Sequence, residues 1–336
     1  MSTFTVASAN VAGLRGATLT GKAAKIESGF DVWFKKMRAS KAGLDILAIQ
    51  ETKMRLEEME PALNKMGVQI GDFHLQDDVF RKGHAGVALW INPDTCVLKE
   101  IRTPFENLPH SEDFGYSGRW IEADVTVKGV DLTIINGYFH HADSPTLKNR
   151  DGILIEREKS VRSMDNKHHF MADATQRLRD LSAKNASVLL VGDVNIAHHN
   201  QDIRNWKGNF TKAGFLPEER AWLDLWFVSR DEDMTSISDT YAYNASIDYR
   251  TPETDQFKKG GLGLTDLTRK LYREDEIYTW WTNMGHAFDN NSGWRIDYQI
   301  ASPSLAEKVQ SVEVHKQDSY ATRYSDHAPI TATFMV

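Results

Sequence analysis

Cysteine is almost absent: Cys96 is the single one in 336 residues. One thiol cannot close a disulfide within the chain, and it cannot build a cysteine-based zinc site. A reducing compartment, the cytoplasm, is therefore expected. Long apolar runs are also missing, and none approaches the ~18 residues that a membrane-spanning helix needs. The opening Met1-Ser2-Thr3-Phe4-Thr5 carries no basic segment followed by an apolar one, so neither a secretion signal nor membrane association is expected. A surplus of positive charge is lacking too: 40 Lys and Arg stand against 47 Asp and Glu, a net charge of −7. That excludes a protein that coats nucleic acid through bulk charge, while a local basic face stays compatible with it.

What is present is an ordinary globular composition, 41% hydrophobic and 26% charged, in a chain long enough to bury a large core. Short apolar runs of strand length recur at Phe4–Ala9, Asp45–Ile49, Gly86–Ile91, Trp120–Val127, Asp131–Tyr138, Val188–Val191, Arg295–Ala301, Val309–Val314 and Ile330–Met335. Trp120–Val127 alternates as a half-buried strand should, whereas Val188–Val191 is apolar throughout and predicts burial on both faces. Helices are predicted over Asp31–Ala42, Leu56–Met66 and His169–Lys184, and from Pro217 through Trp226. Adjacent strand pairs suited to hairpins, mixed with helices, point to stacked sheets flanked by helices rather than a doubly wound parallel sheet. Residues 143–168 and 244–276 read as elaborated loops within a single domain spanning 1–336.

Several apolar runs end in a group suited to metal or phosphate chemistry. Asn10 follows the first, Gln50-Glu51 the second, and Asn136-Gly137-Tyr138 and Gly192-Asp193-Val194-Asn195 close two more. Asp297 opens another, and Ser325-Asp326-His327 precedes the last. Each alone is what a turn normally carries. Together at one rim they would form an oxygen-rich site that suits Mg²⁺ or Mn²⁺ better than zinc. The pairs His168-His169 and His198-His199 lack correctly spaced partners and read as polar loop residues rather than ligands. Cations outnumber acids between Lys148 and Lys184, which a solvated helix face explains as well as a DNA contact does; Arg204, Lys207 and Lys212 are the better contact candidates.

The segments Asn10-Val11-Ala12-Gly13-Leu14-Arg15, Gln50-Glu51-Thr52-Lys53, Gly83-His84-Ala85-Gly86, Asn136-Gly137-Tyr138-Phe139, Gly192-Asp193-Val194-Asn195-Ile196, Trp294-Arg295-Ile296-Asp297-Tyr298 and Ser325-Asp326-His327-Ala328-Pro329 occur in that order. In this the chain resembles the exonuclease III type of abasic-site endonuclease, in the endonuclease/exonuclease/phosphatase superfamily. The resemblance runs from about Thr5 to Phe334 and implies a four-layered α/β sandwich of two mainly antiparallel or mixed sheets flanked by helices. It implies a Mg²⁺-dependent DNA repair nuclease, Mn²⁺ being an alternative metal, that cuts duplex DNA 5′ to abasic sites and trims blocked 3′ ends, acting as a monomer. A phosphodiesterase acting on another nucleic acid or a small phosphoester, and a DNA-binding protein with weakened catalysis, are the competing readings.

Carried over residue by residue, the resemblance makes Glu51 the principal metal ligand, with Asn10 and Asp326 beside it. Asp193 would orient or deprotonate the attacking water, and Asn195 would hold that water or a phosphate oxygen. His327, paired with Asp297, and Tyr138 would contact the phosphate. Asp193, Asn195 and His327 form an alternative second metal position. Trp280, Trp294 and Trp281 would line a pocket for a base-less sugar, core packing being an equal reading for Trp281, and His141 and Arg204 would touch DNA. Departures from the pattern are Ala12 in place of a polar residue, His140-His141 after the Tyr-Phe pair, and Ser117 where an acid is common.

Overall fold

Period-two alternation decides which way each strand faces. In the computed structural model, which describes residues 2–20, 29–144, 146–148, 154–156, 158–184, 186–229 and 255–336, Phe4 and Val6 of β1 (Thr3–Asn10) turn to one side while Ala7 and Ala9 turn to the other. Helices α1 (Leu14–Thr18) and α2 (Phe30–Ala39) follow, then β2 (Ile46–Gln50), α3 (Glu60–Met66), β3 (Phe73–Gln76), β4 (Val87–Ile91), β5 (Cys96–Arg102) and the single turn α4 (Ser111–Phe114). Next come β6 (Trp120–Val127), β7 (Val130–Tyr138), the hairpin of β8 (Thr146–Lys148) and β9 (Leu154–Glu156), and the long α5 (Glu158–Ala183). The remaining named elements are β10 (Val188–Asp193), α6 (Pro217–Phe227), β11 (Thr265–Asp266), β12 (Asp297–Ala301), β13 (Val309–Val314) and β14 (Ile330–Met335).

Two mixed six-stranded sheets result, in the orders β13-β14-β1-β2-β4-β3 and β11-β12-β10-β7-β6-β5. Between them lies a core that includes Phe4, Val6, Ile46, Ala48, Leu89, Ile134, Leu189 and Val191. The outer face of the first sheet, with Leu47, Ile49 and Trp90, packs on Phe30 and Phe34 of α2 and Leu63 of α3. The outer face of the second, with Ile135, Leu190 and Ile300, packs on Phe170 and Leu178 of α5 and Trp222 of α6. This is the four-layered sandwich, and Val188–Val191 is buried on both faces as its apolar run requires. Among the described residues no helix is long and apolar enough to cross a membrane.

Two expectations change. Residues 143–168 are not simply an elaborated loop, because α5 begins at Glu158 rather than near His169. Its inward stripe starts with Ser160, Met164 and Lys167, and two polar members hide the helical spacing. Arg150, Arg157 and residues 244–254 lie outside the described residues. Later parts of the second stretch are core, with Leu262 and Leu264 buried against the α5–α6 layer.

Parallel pairing sets the place of the site. β1 pairs with β2 so that Asn10 faces Gln50, and β7 pairs with β10 so that Tyr138 faces Asp193, which also faces Asp297 across the antiparallel β12. The carboxyl ends of two parallel pairs thus open on the same rim. A buried amide clasp joins the sheets beneath it. Gln50 Nε2 donates to Asn136 Oδ1 at 2.6 Å, and Asn136 Nδ2 donates to the carbonyls of Ile49 and Ala88 at 2.9 and 2.8 Å. Close approach is enforced at Gly192, whose φ is +137° and where a Cβ would fall 1.9 Å from the Gly137 carbonyl oxygen. Asn136→Ala should leave one buried donor and two buried carbonyls without these partners, and urea denaturation should read a loss of ~2–4 kcal/mol.

Candidate active site

Left-handed backbone at the strand ends turns the side chains inward. Glu51, Lys53 and Asn195 have φ near +55°, +51° and +57°. Asn tolerates this region, whereas Glu and Lys pay ~1–2 kcal/mol each for it. Neighbouring chain holds them there. Thr52 and Lys53 donate their amides to the Gly86 and Ala85 carbonyls at 3.0 and 2.9 Å, and Leu14 N–H donates to the Thr52 carbonyl at 3.0 Å. Ser325 Oγ, hydrogen-bonded to the Asn10 carbonyl at 2.8 Å, accepts the His327 amide at 3.1 Å and so fixes the last segment on the first strand.

The structure brings Asn10, Glu51, Tyr138, Asp193, Asn195, Asp297 and His327 to this rim. Asn10 Nδ2 donates to both Glu51 Oε1 at 3.1 Å and Asp193 Oδ2 at 3.0 Å, while its Oδ1 accepts the Ala12 amide at 3.0 Å. Asp193 Oδ1 accepts the Asn195 amide at 2.9 Å, and Asn195 Nδ2 donates to Asp193 Oδ2 and the Phe139 carbonyl at 3.2 and 3.0 Å. His327 Nδ1 donates to Asp297 Oδ2 at 2.9 Å, which leaves Nε2 3.9 Å from Asp193 Oδ2. Tyr138 sits under the Arg119 guanidinium, 4.7 Å above its ring.

Burial and charge set the protonation states. Burial would raise Glu51, but the Lys53 ammonium in contact with it wins and holds the carboxyl at about 2. For Asp193, burial first and the Asp297 charge second outweigh the lowering by His327 and push it up to about 8. Burial would lower His327, yet Asp297 overrides it and lifts the imidazole to about 10. The phenol of Tyr138 is driven well above its ordinary value by burial and by Glu51, so it stays a donor.

Glu51, Asp193 and His327 each offer one ligand atom within 4.8 Å of the others, the one such group among the described residues. The two carboxylates, with the Asn10 amide alongside, suit a divalent cation. The raised Asp193 carboxyl marks the position as short of positive charge. Asp326 stands apart from that group, and its Oδ2 accepts Trp280 Nε1 at 3.1 Å. None of the paired histidines joins it: His168 accepts Trp222 Nε1 at 3.0 Å, His169 stacks on Phe114, and His198 pairs with Asp224 at 2.8 Å.

Beside the cluster, Trp280 and Trp294 meet edge to face with ring centroids 6.0 Å apart. They pack with Ile203, Phe215 and Ile296, and the partly buried Trp206 and Phe210 extend the same wall. Trp281 turns the other way into a core with Tyr278 and Phe288, so of its two readings packing is the one its surroundings favour. His141 is exposed at the mouth, where desolvation and then the Lys167 ammonium lower its pKa. Arg204 is exposed and pairs with Glu276. Of the α5 cations, Lys167 is buried and Arg177 forks onto Glu122, whereas Lys159 and Arg162 are exposed. Sequence reasoning missed Arg119 and the aromatic pair Trp206 and Phe210. The Arg204-Asn205-Trp206-Lys207 run, cations flanking an aromatic, was the available signal for the latter.

The profile of the Endonuclease/Exonuclease/phosphatase family matches residues 7–327, and the chain belongs to that family. Its class of chemistry is metal-dependent phosphodiester hydrolysis. Within the family the resemblance is to the exonuclease III type. The chain is 29% identical to exodeoxyribonuclease III of Haemophilus influenzae over 299 residues, covering 86% of this chain and 90% of that protein. It is 25% identical to DNA repair nuclease APEX1 of Danio rerio over 307 residues, covering 90% and 78% respectively. Its fold is similar to that of the 3′ phosphatase NExo from Neisseria bound to a product DNA hairpin, with a TM-score of 0.67, 23% identity, and coverage of 99% and 100%.

Since the folded His327 value of about 10 lies above the usual 6.5, its pairing with Asp297 stabilises the fold fully below pH 6.5 and loses that contribution as pH rises through about 10. Asp297→Asn should lower the imidazole titration midpoint by ~1–3 units, read by proton NMR of the ring.

Proposed function

We propose that this protein is a Mg²⁺-dependent DNA repair nuclease that hydrolyses the phosphodiester 5′ to abasic sites and removes blocking groups from 3′ ends. The observation that carries this reading is the meeting of Glu51, Asp193 and His327 at one rim, directly beside the apolar wall of Trp280 and Trp294. A phosphate at the rim and a sugar without its base against the wall would satisfy both surfaces.

Glu51 with Asn10 would hold the metal, with Asp326 acting from outside that group; Mn²⁺ would serve in place of Mg²⁺. When bound, the metal supplies charge stabilisation at the phosphate oxygens. The chain's own residues divide the remaining work. His327 carries a proton at neutral pH, because Asp297 lifts it to about 10, so it acts as a cation toward phosphate and not as a base. Asp193, whose raised carboxyl would ionise beside a bound cation, is then the group that accepts a proton from the attacking water. Its carboxylate is aimed by three donors, Asn10 Nδ2, Asn195 N and Asn195 Nδ2. Tyr138 keeps its proton and donates to a phosphate oxygen, and Asn195 steadies the water. Double-stranded DNA is the partner, met by a monomer, with His141, Lys207 and Lys212 at the approach.

The test is a duplex with a single abasic analogue. Incision 5′ to the lesion is expected with Mg²⁺ and is abolished by EDTA; cleavage confined to other phosphoesters would overturn the lesion assignment. Asp193→Asn should lower turnover by ~10²–10⁴-fold and leave DNA affinity, measured by fluorescence anisotropy, within a few-fold. Near wild-type turnover would remove Asp193 from the base role.

A further inference from the structure

A fully buried ion pair lies behind the reacting groups and touches none of the atoms that would meet substrate. Lys167 of α5 and Glu219 of α6 are each 1% exposed, with Nζ 2.5 Å from Glu219 Oε1. The same ammonium donates to the Asn195 carbonyl at 2.8 Å. The other carboxylate oxygen, Glu219 Oε2, accepts the Gly214 and Leu216 amides at 2.6 and 3.0 Å. Gly214 closes the circuit. Its carbonyl accepts the Ala197 amide at 2.7 Å, and a Cβ there would come within 3.1 Å of the Trp294 ring and 3.3 Å of the Asn195 carbonyl.

A buried pair of charges adds little net stability over an apolar pair of the same size, because desolvation cancels most of the attraction. What it does fix is direction. Each atom of this pair that has a partner is spent on one of three pieces of chain: α5, the left-handed turn at Asn195, and the 214–216 turn that opens α6 against Trp294. The neighbouring Glu218 does not compete for Lys167 at neutral pH, since burial pushes its carboxyl up to about 8.

We infer that Lys167 and Glu219 are positioning residues, which lock the Asn195 turn and the seat of Trp294 into one rigid unit so that the water-steadying amide and the pocket wall keep a fixed separation. This rests on the roles proposed above for Asn195 and Trp294. Misplacement of a catalytic group by about 1 Å can cost ~10²-fold in rate, so the effect should fall on kcat.

The test uses the full chain and two variants. Lys167→Met combined with Glu219→Gln removes both charges at similar size, so no buried charge is left alone. Glu219→Gln by itself keeps an acceptor for the two amides and the Lys167 bond to Asn195, though it leaves the Lys167 charge without its carboxylate, and it serves if the double variant fails to fold. Either should cut kcat on the abasic duplex by ~10–100-fold with KM within about threefold. Amide hydrogen exchange over 194–216 should quicken while β7 and β10 stay protected. A folded variant with wild-type kcat and unchanged exchange overturns the proposal, as does faster exchange spread evenly over both sheets. The exchange pattern needs no turnover. A wild-type protein that cleaves no phosphodiester would therefore overturn the proposed function, while exchange confined to 194–216 would still support the positioning role.

Discussion

One side-chain amide holds the two halves of the site together. Asn10 stands at the end of β1 in the first sheet, and its Nδ2 spends both hydrogens on carboxylates, Glu51 from the same sheet and Asp193 from the other. Its Oδ1 is occupied by the Ala12 amide, which fixes the orientation of the amide plane. Two buried carboxylates this close repel, and a neutral bridge with two donors is what allows them to face one another before any cation arrives. The deeper clasp of Gln50 and Asn136 does the same for the backbone, tying β2, β4 and β7 where the rim begins. Shear between the sheets would break both at once, so the spacing of the rim groups is a property of the sandwich and not of any one loop.

The acidic net charge gains a location from this. Asp193, Asp297 and Glu51 are concentrated at the rim against the cations of Lys53 and His327. Lys53 is part-exposed, whereas His327 is buried and held by Asp297. The inner cation is therefore the durable one. Arg295 shows the contrasting use of charge in the same segment. It is fully buried, forked onto Asp202 at 2.7 and 3.0 Å and paired with Asp266 at 2.8 Å, and it faces the Tyr298 ring. Its neighbours Trp294 and Ile296 pack in the aromatic wall, yet Arg295 itself anchors the loop at Asp202 and Ile203 to the base of that wall.

Strands and rim residues were legible because both are local signals. Trp120–Val127, Val309–Val314 and Ile330–Met335 form strands over the residues predicted, the first from its alternation and the others as short apolar runs. The chemistry-bearing side chains follow apolar runs directly, so finding the runs finds the candidates. β5 was not legible: it is an edge strand whose Val97 and Leu98 face outward, which breaks the alternation that marks a buried face. The early turns of α5 were hidden for the reverse reason, since Lys167 is a charged residue at an inward position. Which cation neutralises which acid was illegible throughout, because Lys167 with Glu219, Arg177 with Glu122 and Arg269 with Asp202 meet through tertiary packing that leaves no spacing rule in the chain.

The tryptophans show how a single geometric rule sends neighbouring rings to different surroundings. Trp280 and Trp281 are adjacent in an extended segment, where successive side chains point to opposite sides. Trp280 bridges to Trp294 and to His327 through backbone pairing, and its indole N–H is engaged by Asp326. Trp281 is thereby committed to the far side, where its N–H reaches Asn291 and its ring meets Phe288. Trp294 in turn is seated on Gly214, where a side chain would crowd it. Each of the two half-buried rings, Trp280 and Trp294, is thus held by a backbone or polar contact. The adjacent indoles are thereby divided between the half-buried wall beside the rim and the separate core of Tyr278 and Phe288.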